Sequence, residues 1–390
     1  MCGLHSDSGK KIGEPDTVTI DLRPKRGRLP RCGRCGLKVR QVHDWSVRKA
    51  RDLSILGALT VLNVCYRRVL CPQCGCNSEK VEWLDPYSRV TKRLAQSIIL
   101  LCEVLPIAHV AQHFTLSWSS VKRLHKSHLK QVLEPVDLSD LTVIGMDEFA
   151  IQKGHRYATV LVDMLTRRVL WVGRGRGRED IKPFFHLLGE KGCQKLEAVA
   201  MDMNGAYEKE IQANCPQAEI VYDLYHVKAK YNRDVLERVR IDELGQVRRT
   251  RPGRKVTQGV RWLLLRNRKN VTDPKDRVLL KELLAANRRL FTAYVLKDDL
   301  NRLWSYRSRA AAERFWRQWY RRAMYSKMKP LKKFARNLKT YIRGILSHCR
   351  WAVNTSVIEG INNKIKVIKR MAYGFRDDEY FFLRIRHAFP

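Results

Sequence analysis

The spacing of apolar residues changes along the chain, and each change predicts a different kind of structure. Apolar and polar residues alternate from Leu59 to Arg67, which is typical of strands in a hairpin. Between Arg93 and Lys130 the apolar residues recur at helical spacing, with a break at Pro106. Short apolar runs return from Leu141 onward and predict strands, whereas residues 224–352 have a predominantly helical pattern.

The strand-rich part follows a recognisable order of elements. The pattern predicts three consecutive strands at 141–147, 156–163 and 168–173, a helix at 180–191, a strand at 198–202, a helix from 205 and a strand at 219–223. Three antiparallel strands, a helix, a strand, a helix and a strand are the order of a ribonuclease H-like fold, in which the first and fourth strands lie side by side. The predicted fold class is therefore an α/β multidomain protein with a ribonuclease H-like core.

Three acids stand at positions that such a core could gather. Asp147 comes at or near the C-terminal end of the apolar run VIGMDEF, and Asp202 ends the run AVAMD. Glu359 lies at the head of a predicted helix over residues 356–370. Carboxylate oxygens are the ligands that Mg²⁺ or Mn²⁺ prefers. Two such ions about 3.5–4 Å apart stabilise the attacking and leaving oxygens of a phosphodiester displacement, so the sequence predicts a two-cation site.

The residues around Glu359 allow two interpretations. Ser356 and Glu359 have the spacing of a capping box, in which the carboxylate satisfies a backbone N–H at the start of the helix. Lys366 follows Glu359 by seven residues, and two helical turns bring both side chains to nearly the same face. A lysine beside the acids is expected to hold a DNA phosphate, and Lys369 and Arg370 extend this basic edge. Together with the other two acids, the pattern favours a ligand role for Glu359.

Four of the eleven cysteines form two CxxC pairs, Cys32–Cys35 and Cys71–Cys74. Each pair has the spacing with which two thiolates hold one Zn²⁺, and two pairs complete a structural, tetrahedral site. Cys65 and Cys76 are further candidates, which leaves the fourth ligand open between Cys74 and Cys76. Free or redox-active cysteines are the alternative, although the CxxC spacing in a reducing cytoplasm fits metal binding better.

The helical segment before the strand-rich part has the pattern of a helix-turn-helix. Residues 107–113 are followed by a short turn and by a second helix that opens at Ser117. The first residues of a recognition helix are the ones that reach base edges. The residues predicted to contact DNA are Ser119, Ser120, Lys122 and Arg123. Ordinary helical bundles contain similar helix pairs, so the neighbouring zinc lobe and the basic charge of the chain carry much of this interpretation.

The charge of the chain indicates a polyanionic partner. The 390 residues carry a formal net charge of +37, and the pI is about 10.1. Residues 302–343 contain 14 Lys or Arg and one acid, Glu313. The aromatic residues between them are expected mainly in the core, and the basic positions on a face that follows DNA phosphates. A second basic stretch, Val247 to Lys255, is predicted to be an exposed loop, and a basic protein that is merely soluble is the alternative.

The chain resembles the ISL3 family of bacterial insertion-sequence transposases over about residues 30–390. The motifs that carry the resemblance are GMDEFA at 145–150, DMNGAY at 202–207, YDLYHV at 222–227, WLLLRN at 262–267 and EGINNKIKVIKRMAYGF at 359–375. The resemblance implies a DDE-type transposase with Asp147, Asp202 and Glu359 as its triad. It also implies a helical insertion before the helix of Glu359. Asp223 and His226 look like the D-x-x-H signature of insertion-bearing DDE families, and a core histidine satisfied by Asp223 is the alternative.

The expected domains follow these features along the chain. They are a lead-in at 1–30, a zinc-binding lobe at 31–90, a helix-turn-helix at 91–135, a DDE domain at 140–227 and 352–390, and a helical insertion at 228–351. No apolar run approaches 18 residues, and the first 30 residues lack the apolar core of a secretory signal. The expected location is the bacterial cytoplasm, in association with the nucleoid.

The expected function is that of a DNA transposase. It would bind the terminal repeats of its insertion sequence as double-stranded DNA, hydrolyse a phosphodiester and use the freed 3′-OH to attack target DNA. Both ends must be held, so at least a homodimer is expected in the working complex. The alternatives are a domesticated DNA-binding regulator, a ribonuclease H-like nuclease for other nucleic acids, and a zinc-containing RNA-binding protein. The intact triad and the last motif favour the transposase.

Overall fold

The structure, a computed structural model, describes residues 4–6, 16–25, 27–133, 135–152, 154, 156–244, 260–266, 270–353 and 356–390. The basic stretch at Val247 to Lys255 lies outside the described residues. The chain divides into two compact units, Met1–Val132 and Leu133–Pro390, each with its own hydrophobic cores. Among the described helices, none is long and apolar enough to cross a membrane.

The first unit begins with a five-stranded sheet. Its strands are β1 (Leu4–Ser6), β2 (Thr17–Leu22), β3 (Val42–Ile55), β4 (Ala58–Cys71) and β5 (Gly75–Ser78). The order is β1-β2-β4-β3, and β5 pairs with β4. β3 and β4 form the hairpin that the alternating pattern predicts. Leu56 and Gly57 connect them with positive φ at both positions, which is the turn geometry that matches the twist of paired strands.

Three helices follow this sheet in the first unit. They are α1 (Lys92–Val104), α2 (Ile107–His113) and α3 (Trp118–Val132). The hydroxyl of Thr91 accepts a hydrogen bond from the N–H of Leu94 at the start of α1, and Pro106 separates α1 from α2. The buried core between the helices is formed by Leu94, Ile98, Val110 and Val121. The predicted helical periodicity of this segment is confirmed.

The second unit is built on a five-stranded mixed sheet. Its strands are β6 (Val143–Gln152), β7 (Arg156–Asp163), β8 (Val169–Arg174), β9 (Ala198–Met201) and β10 (Glu219–Tyr222). The order is β10-β9-β6-β7-β8; β6, β7 and β8 are antiparallel, whereas β9 is parallel to β6 and to β10. The first and fourth strands of this unit are therefore neighbours, as the ribonuclease H-like order predicts.

Helices connect the later strands and fill the segment that follows them. α4 (Arg178–Lys195) has a kink at Gly189, where φ is +69°. The helices that follow it are α5 (Gly205–Asn214), α6 (Leu224–Tyr231), α7 (Glu237–Leu244), α8 (Val260–Leu265), α9 (Pro274–Ala286), α10 (Arg288–Arg302), α11 (Arg309–Tyr325), α12 (Lys329–Thr340) and α13 (Ile342–Leu346). Trp319 and Phe334 are buried in this helical segment, so its aromatic residues contribute to the core as expected.

The last two helices, α14 (Ser356–Met371) and α15 (Asp378–His387), cover one face of the second sheet. Successive side chains of a strand point to opposite faces of its sheet. In β6, Ile144 and Met146 pack with α4 and α5, whereas Phe149 and Ile151 pack with α14 and α15. Asp147 is two residues from Phe149, so the alternation directs its side chain to the face that α14 covers.

Candidate functional site

The register of the second sheet brings Asp147 and Asp202 together. β6 and β9 pair in parallel with Gly145 opposite Ala200, and two residues further along each chain are the two aspartates. Asp202 follows directly after β9, as predicted. Asp147 lies in the middle of β6, and its predicted place at or near the end of a strand was wrong. The reason is that β6 continues to Gln152 through its pairing with β7.

Glu359 approaches the two aspartates from the first turn of α14. The preceding residue, Ile358, packs against β6 at Gly145, where an added Cβ would lie 2.6 Å from Cδ1 of Ile358. The missing side chain at Gly145 therefore lets the start of α14 lie close to the sheet. Ser356, the serine of the predicted capping box, is the first residue of α14. The residue before it lies outside the described part of the chain. The side chain of Glu359 is exposed and faces the same cavity as the aspartates.

The three acids line one cavity of about 480 Å³ in the second unit. The other polar residues that line it are Glu148, Asp223, Tyr225, His226, Asn362, Lys366 and Lys369. The acids share the cavity without forming a tight cluster. Among the described residues, one group of potential metal ligands is that tight, and it consists of four cysteines in the first unit. Their sulfurs all lie within 4.8 Å of one another.

Burial and charge shift two pKa values in this cavity. Burial raises the pKa of Asp147 to about 6, although the N–H of Glu148 donates to its Oδ1 at 2.7 Å and opposes the shift. The carboxylate of Asp202, whose Oδ2 lies 3.6 Å from Nδ1 of His226, raises the pKa of that imidazole. The first shift means that burial opposes the negative charge of Asp147, and the second means that the carboxylate of Asp202 favours a positive charge on His226.

The donor atoms of the cavity suit a hard divalent cation. Its three carboxylates supply oxygen ligands, and the described residues that line it include no cysteine. Oδ1 of Asn362 is a buried acceptor for which the described part of the chain supplies no hydrogen-bond partner. The residues present therefore fit the Mg²⁺ or Mn²⁺ that the sequence leads us to expect.

Asp223 and His226 belong to the start of α6 beside the acids. Asp223 caps this helix, because its Oδ1 accepts a hydrogen bond from the N–H of Tyr225 at 2.9 Å. His226 contacts the carboxylate of Asp202, and its side chain is 32% exposed. It is thus a residue of the cavity wall, whereas the alternative interpretation placed it in the core.

The basic residues of α14 have different surroundings. Lys366 lines the cavity, and its Nζ donates to Oδ1 of Asn363 at 3.1 Å. Lys369 also lines the cavity, but its Nζ donates to the carbonyl oxygen of Ala150 at 2.7 Å and so links α14 to β6. Arg370 is exposed and is not among the lining residues. Lys366 is thus the basic residue of this group best placed to meet a phosphate in the cavity.

Asn362 is a site residue that the sequence analysis missed. Its side chain is 7% exposed, and Nδ2 donates to Oδ2 of Asp147 at 2.6 Å. Asn362 follows Glu359 by three residues, a spacing that places two side chains on one face of a helix. The available signal was therefore a polar residue on the same face as the acid, beside the buried residues Ile361 and Ile365.

The cysteine cluster of the first unit is formed by Cys32, Cys35, Cys71 and Cys74, whose sulfurs all lie within 4.8 Å of one another. This geometry matches a tetrahedral Zn²⁺ site. Burial raises the pKa of Cys32, but hydrogen bonds from the backbone at Cys35 and Arg34 outweigh it and lower the pKa to about 7, which favours a thiolate ligand.

The two further candidate thiols lie outside the cluster. Cys76 is exposed and accepts a hydrogen bond from Arg68 at 3.4 Å, and Cys65 lies within β4 opposite Val47. The described geometry therefore selects Cys74 over Cys76. A glycine with positive φ follows the second cysteine of each pair, at Gly36 and Gly75, and these glycines let the chain turn back around the sulfurs.

The helix-turn-helix is formed by α2 and α3. Val121, His125 and Leu129 form the buried face of α3. The residues predicted to contact DNA lie at its start, with Ser119 and Arg123 exposed and Ser120 and Lys122 partly exposed.

The first turn of α3 contains two features that the sequence did not show. The Ser117 hydroxyl lies 3.1 Å from the hydroxyl of Ser119 and 2.9 Å from that of Ser120. These three hydroxyl groups therefore form hydrogen bonds with one another at the start of α3. Trp118 is 51% exposed, with Nζ of Lys122 5.2 Å from its ring centroid. This surface therefore presents an apolar ring next to a positively charged lysine.

The helical segment carries an exposed basic surface. The basic residues of α11 and α12 that are exposed and make no ion pair with a described acid are Arg314, Arg321, Lys329, Lys333, Arg336 and Lys339. Arg317 and Arg322 lie on the same helices' surface but pair with Glu313 and Asp299. We refer to the six residues without an acidic partner as the basic face.

Comparison with protein families finds three successive matches along the chain. Residues 144–385 match the DDE transposase model of the ISL3 family, described as a transposase. Residues 79–128 match the helix-turn-helix domain of transposase family ISL3, and residues 28–74 match the zinc-finger of transposase IS204/IS1001/IS1096/IS1165. The zinc-finger match ends at Cys74, in agreement with the cluster geometry.

Two curated relatives are similar to this chain over nearly its whole length. The transposase for insertion sequence element IS1001 of Bordetella parapertussis is 51% identical over 375 residues, covering 96% of this chain and 92% of the relative. The transposase for insertion sequence element IS1557 of Mycobacterium tuberculosis is 25% identical over 395 residues, covering 94% and 87%. With a zinc site, a helix-turn-helix and a DDE domain in the order of these matches, the chain belongs to the ISL3 family of insertion-sequence transposases.

Proposed function

We propose that this transposase binds the terminal inverted repeats of its insertion sequence and cuts and joins DNA with Asp147, Asp202 and Glu359 as its catalytic triad. The observation that carries the proposal is the shared cavity. Residues that are 55 and 157 positions apart in sequence reach it from a strand, a strand end and a helix. Three acids line this one cavity together with His226, whose pKa is raised by Asp202.

The roles of the side chains follow from their positions. Two Mg²⁺ or Mn²⁺ ions held by the triad would activate the attacking oxygen and stabilise the charge on the leaving oxygen. His226 keeps the Asp202 carboxylate oriented, and Asp223 fixes the start of the helix that carries His226. Lys366 offers an ammonium group to a phosphate at the cavity wall.

The reaction has two steps that use the same residues. In the first, water attacks the phosphorus at the transposon end, the bond from phosphorus to the 3′ oxygen breaks, and a 3′-OH and a 5′-phosphate result. In the second, this 3′-OH attacks a target phosphodiester, a new P–O bond joins the strands, and the target strand leaves with a free 3′-OH. No covalent link between protein and DNA is needed.

The first unit supplies DNA recognition. We propose that the zinc lobe at 31–90 and the helix-turn-helix at 91–135 follow a lead-in at 1–30 and read the terminal repeats. The DDE domain comprises 140–227 and 352–390, with the helical insertion at 228–351. Each insertion sequence has two ends that must be held together, so at least a homodimer forms in the working complex. Its substrate places the protein on DNA in the bacterial cytoplasm.

The test uses a labelled duplex that carries the inverted repeats flanking the gene, with both ends present. Wild-type protein with Mg²⁺ or Mn²⁺ is expected to nick at the repeat boundary. Asp147→Ala and Glu359→Ala are expected to bind the duplex and not to cut it. Glu190→Ala, an exposed acid of α4 outside the cavity, is the control that retains cutting. Tight binding without cutting by wild-type protein under either metal would favour a domesticated regulator.

A further inference from the structure

Asn362 links β6, which carries Asp147, to α14, which carries Glu359. Its Nδ2 donates to Oδ2 of Asp147 at 2.6 Å, while the N–H of Glu148 donates to Oδ1 at 2.7 Å. Each oxygen of this carboxylate thus has one donor that fixes it. A carboxylate oxygen accepts two hydrogen bonds or ligands, so both oxygens keep a lone pair for a cation.

The same residue relates Asp147 to Glu359. Asn362 follows Glu359 by less than one helical turn, and both side chains line the cavity. Strands of a sheet are aligned by backbone hydrogen bonds, but a helix on a sheet has no such ladder. Two side-chain hydrogen bonds join α14 to β6, one from Lys369 to the carbonyl oxygen of Ala150 and one from Asn362 to Asp147. The bond from Asn362 is the one that ends on a carboxylate of the triad, so it bears directly on the separation of Asp147 and Glu359.

Among the described residues, none pairs with the oxygen of this amide. Asn362 is 7% exposed, and its Oδ1 is buried without a hydrogen bond to any described residue. Buried acceptors in folded proteins are nearly always satisfied, because desolvation without a new bond costs free energy. Oδ1 of Asn63 and Oδ1 of Asn232 are also buried without such a partner, but Asn362 differs from both because it lines the cavity of the three acids and its Nδ2 holds one of them.

We propose that Asn362 belongs to the cation site, where Nδ2 holds Asp147 in place and Oδ1 is an additional oxygen ligand for the divalent ion. Amide carbonyl oxygens are common ligands of hard cations. This inference rests on the proposed function, because it assumes that the cavity binds the ion.

The experiment measures Mn²⁺ binding to the full-length, zinc-loaded protein by electron paramagnetic resonance, so that it does not depend on cutting. Asn362→Leu keeps the approximate size and removes both polar groups. It is expected to weaken Mn²⁺ binding about 10–100-fold, the usual effect of losing a group that orients a ligand. Asn362→Asp keeps an oxygen at the position and is expected to bind Mn²⁺ at least about tenfold more tightly than the leucine variant.

Control variants distinguish the role of Asn362 from the cation site and the proposed function on which it rests. Val367→Ala alters an exposed residue of the same helix and is expected to bind Mn²⁺ like wild type. Asn362→Ser is smaller and polar, and it gives a second variant with the same expected loss if the leucine does not fold. Wild-type affinity in either the leucine or the serine variant overturns the role of Asn362. Wild-type affinity in Asp147→Ala overturns the cation site itself, and the proposed function with it.

Discussion

Asp147 shows at the level of one residue how a site opposes stability. Its carboxylate is largely buried, and burial raises its pKa to about 6 from an ordinary value of 3.8. The folded state therefore binds a proton more readily than the unfolded chain does. Stability from this group is present below the unfolded pKa and is lost as the pH rises through the folded pKa.

We expect Asp147→Asn to unfold at a higher temperature than wild type at pH 7.5 in buffer without Mg²⁺. The rise in the pKa of Asp147 from 3.8 to about 6 corresponds to roughly 2–3 kcal/mol at full burial, and partial exposure makes the expected gain on the order of 2 kcal/mol. The neutral amide keeps the acceptor for the N–H of Glu148, and Asn362 can turn its amide to accept from the new NH₂ group.

Scanning calorimetry over a pH series measures this gain. The difference between variant and wild type should shrink as the pH falls from 6 toward 4, because the wild-type acid is then protonated in the folded state. A variant that is equal to or less stable than wild type at pH 7.5 would show that the carboxylate is solvated well enough to ionise without cost.

At the level of elements, the packing of α14 on β6 decides where Glu359 stands. Gly145 has no room for a side chain, because an added Cβ would meet Sδ of Met164 and Cδ1 of Ile358. We expect Gly145→Ala to displace the start of α14, to destabilise the second unit by about 1–3 kcal/mol, as overpacking does, and to reduce cutting of the labelled ends.

A compensating change tests the cause. Ile358→Val removes the Cδ1 atom that the new methyl group would meet. The double variant Gly145→Ala with Ile358→Val should regain part of both the stability and the cutting activity. If the double variant is no better than Gly145→Ala alone, the effect of the alanine does not come from this contact.

The zinc site is a second element whose residues can be told apart by experiment. Cys71→Ser is expected to lose its bound zinc on dialysis and to loosen the strands that end at the cluster, because a structural Zn²⁺ contributes directly to folding. Cys76→Ser should retain zinc, since the Cys76 thiol lies outside the cluster. Zinc content by mass spectrometry and hydrogen exchange in β4 measure both effects. Zinc loss in the Cys76→Ser variant would make Cys76 a zinc ligand and contradict the choice of Cys74 over Cys76.

At the level of the whole molecule, the net charge of +37 makes binding to DNA depend on salt. Each phosphate contact releases counterions, so log Kobs falls linearly with log salt concentration. The basic face offers residues without acidic partners, whereas Arg317 is already paired with Glu313 at 2.7 Å. The residues of the basic face should therefore each contribute more to DNA affinity than Arg317 does.

We expect Arg321→Gln and Arg336→Gln each to reduce the salt slope of DNA binding by about 1, in any DNA sequence, if these residues contact phosphates. Arg317→Gln is the matched control and should change the slope less, because its charge is partly neutralised. Fluorescence anisotropy from 50 to 300 mM salt measures the slopes. Equal slopes for all three variants and wild type would remove the basic face from the DNA-binding surface.

The sequence by itself determined the order of the elements between residues 93 and 223 and indicated which residues to expect at the two sites. Apolar periodicity located those strands and helices, since burial of one face requires period 2 or about 3.6, whereas it gave residues 224–352 only as helical. The CxxC spacing and the acids at the ends of apolar runs pointed to the two sites, and the motifs at 145–150 and 359–375 indicated the family.

The tertiary structure decided what depends on contacts between distant residues. It placed Asp147 inside β6, because pairing with β7 extends the strand beyond its apolar run. It selected Cys74 over Cys76, because the turn at Gly75 directs only the first thiol into the cluster. It also revealed the bond from Asn362 to Asp147, which spans 215 residues. Local spacing cannot specify such a contact, because it exists only after α14 has packed on the sheet.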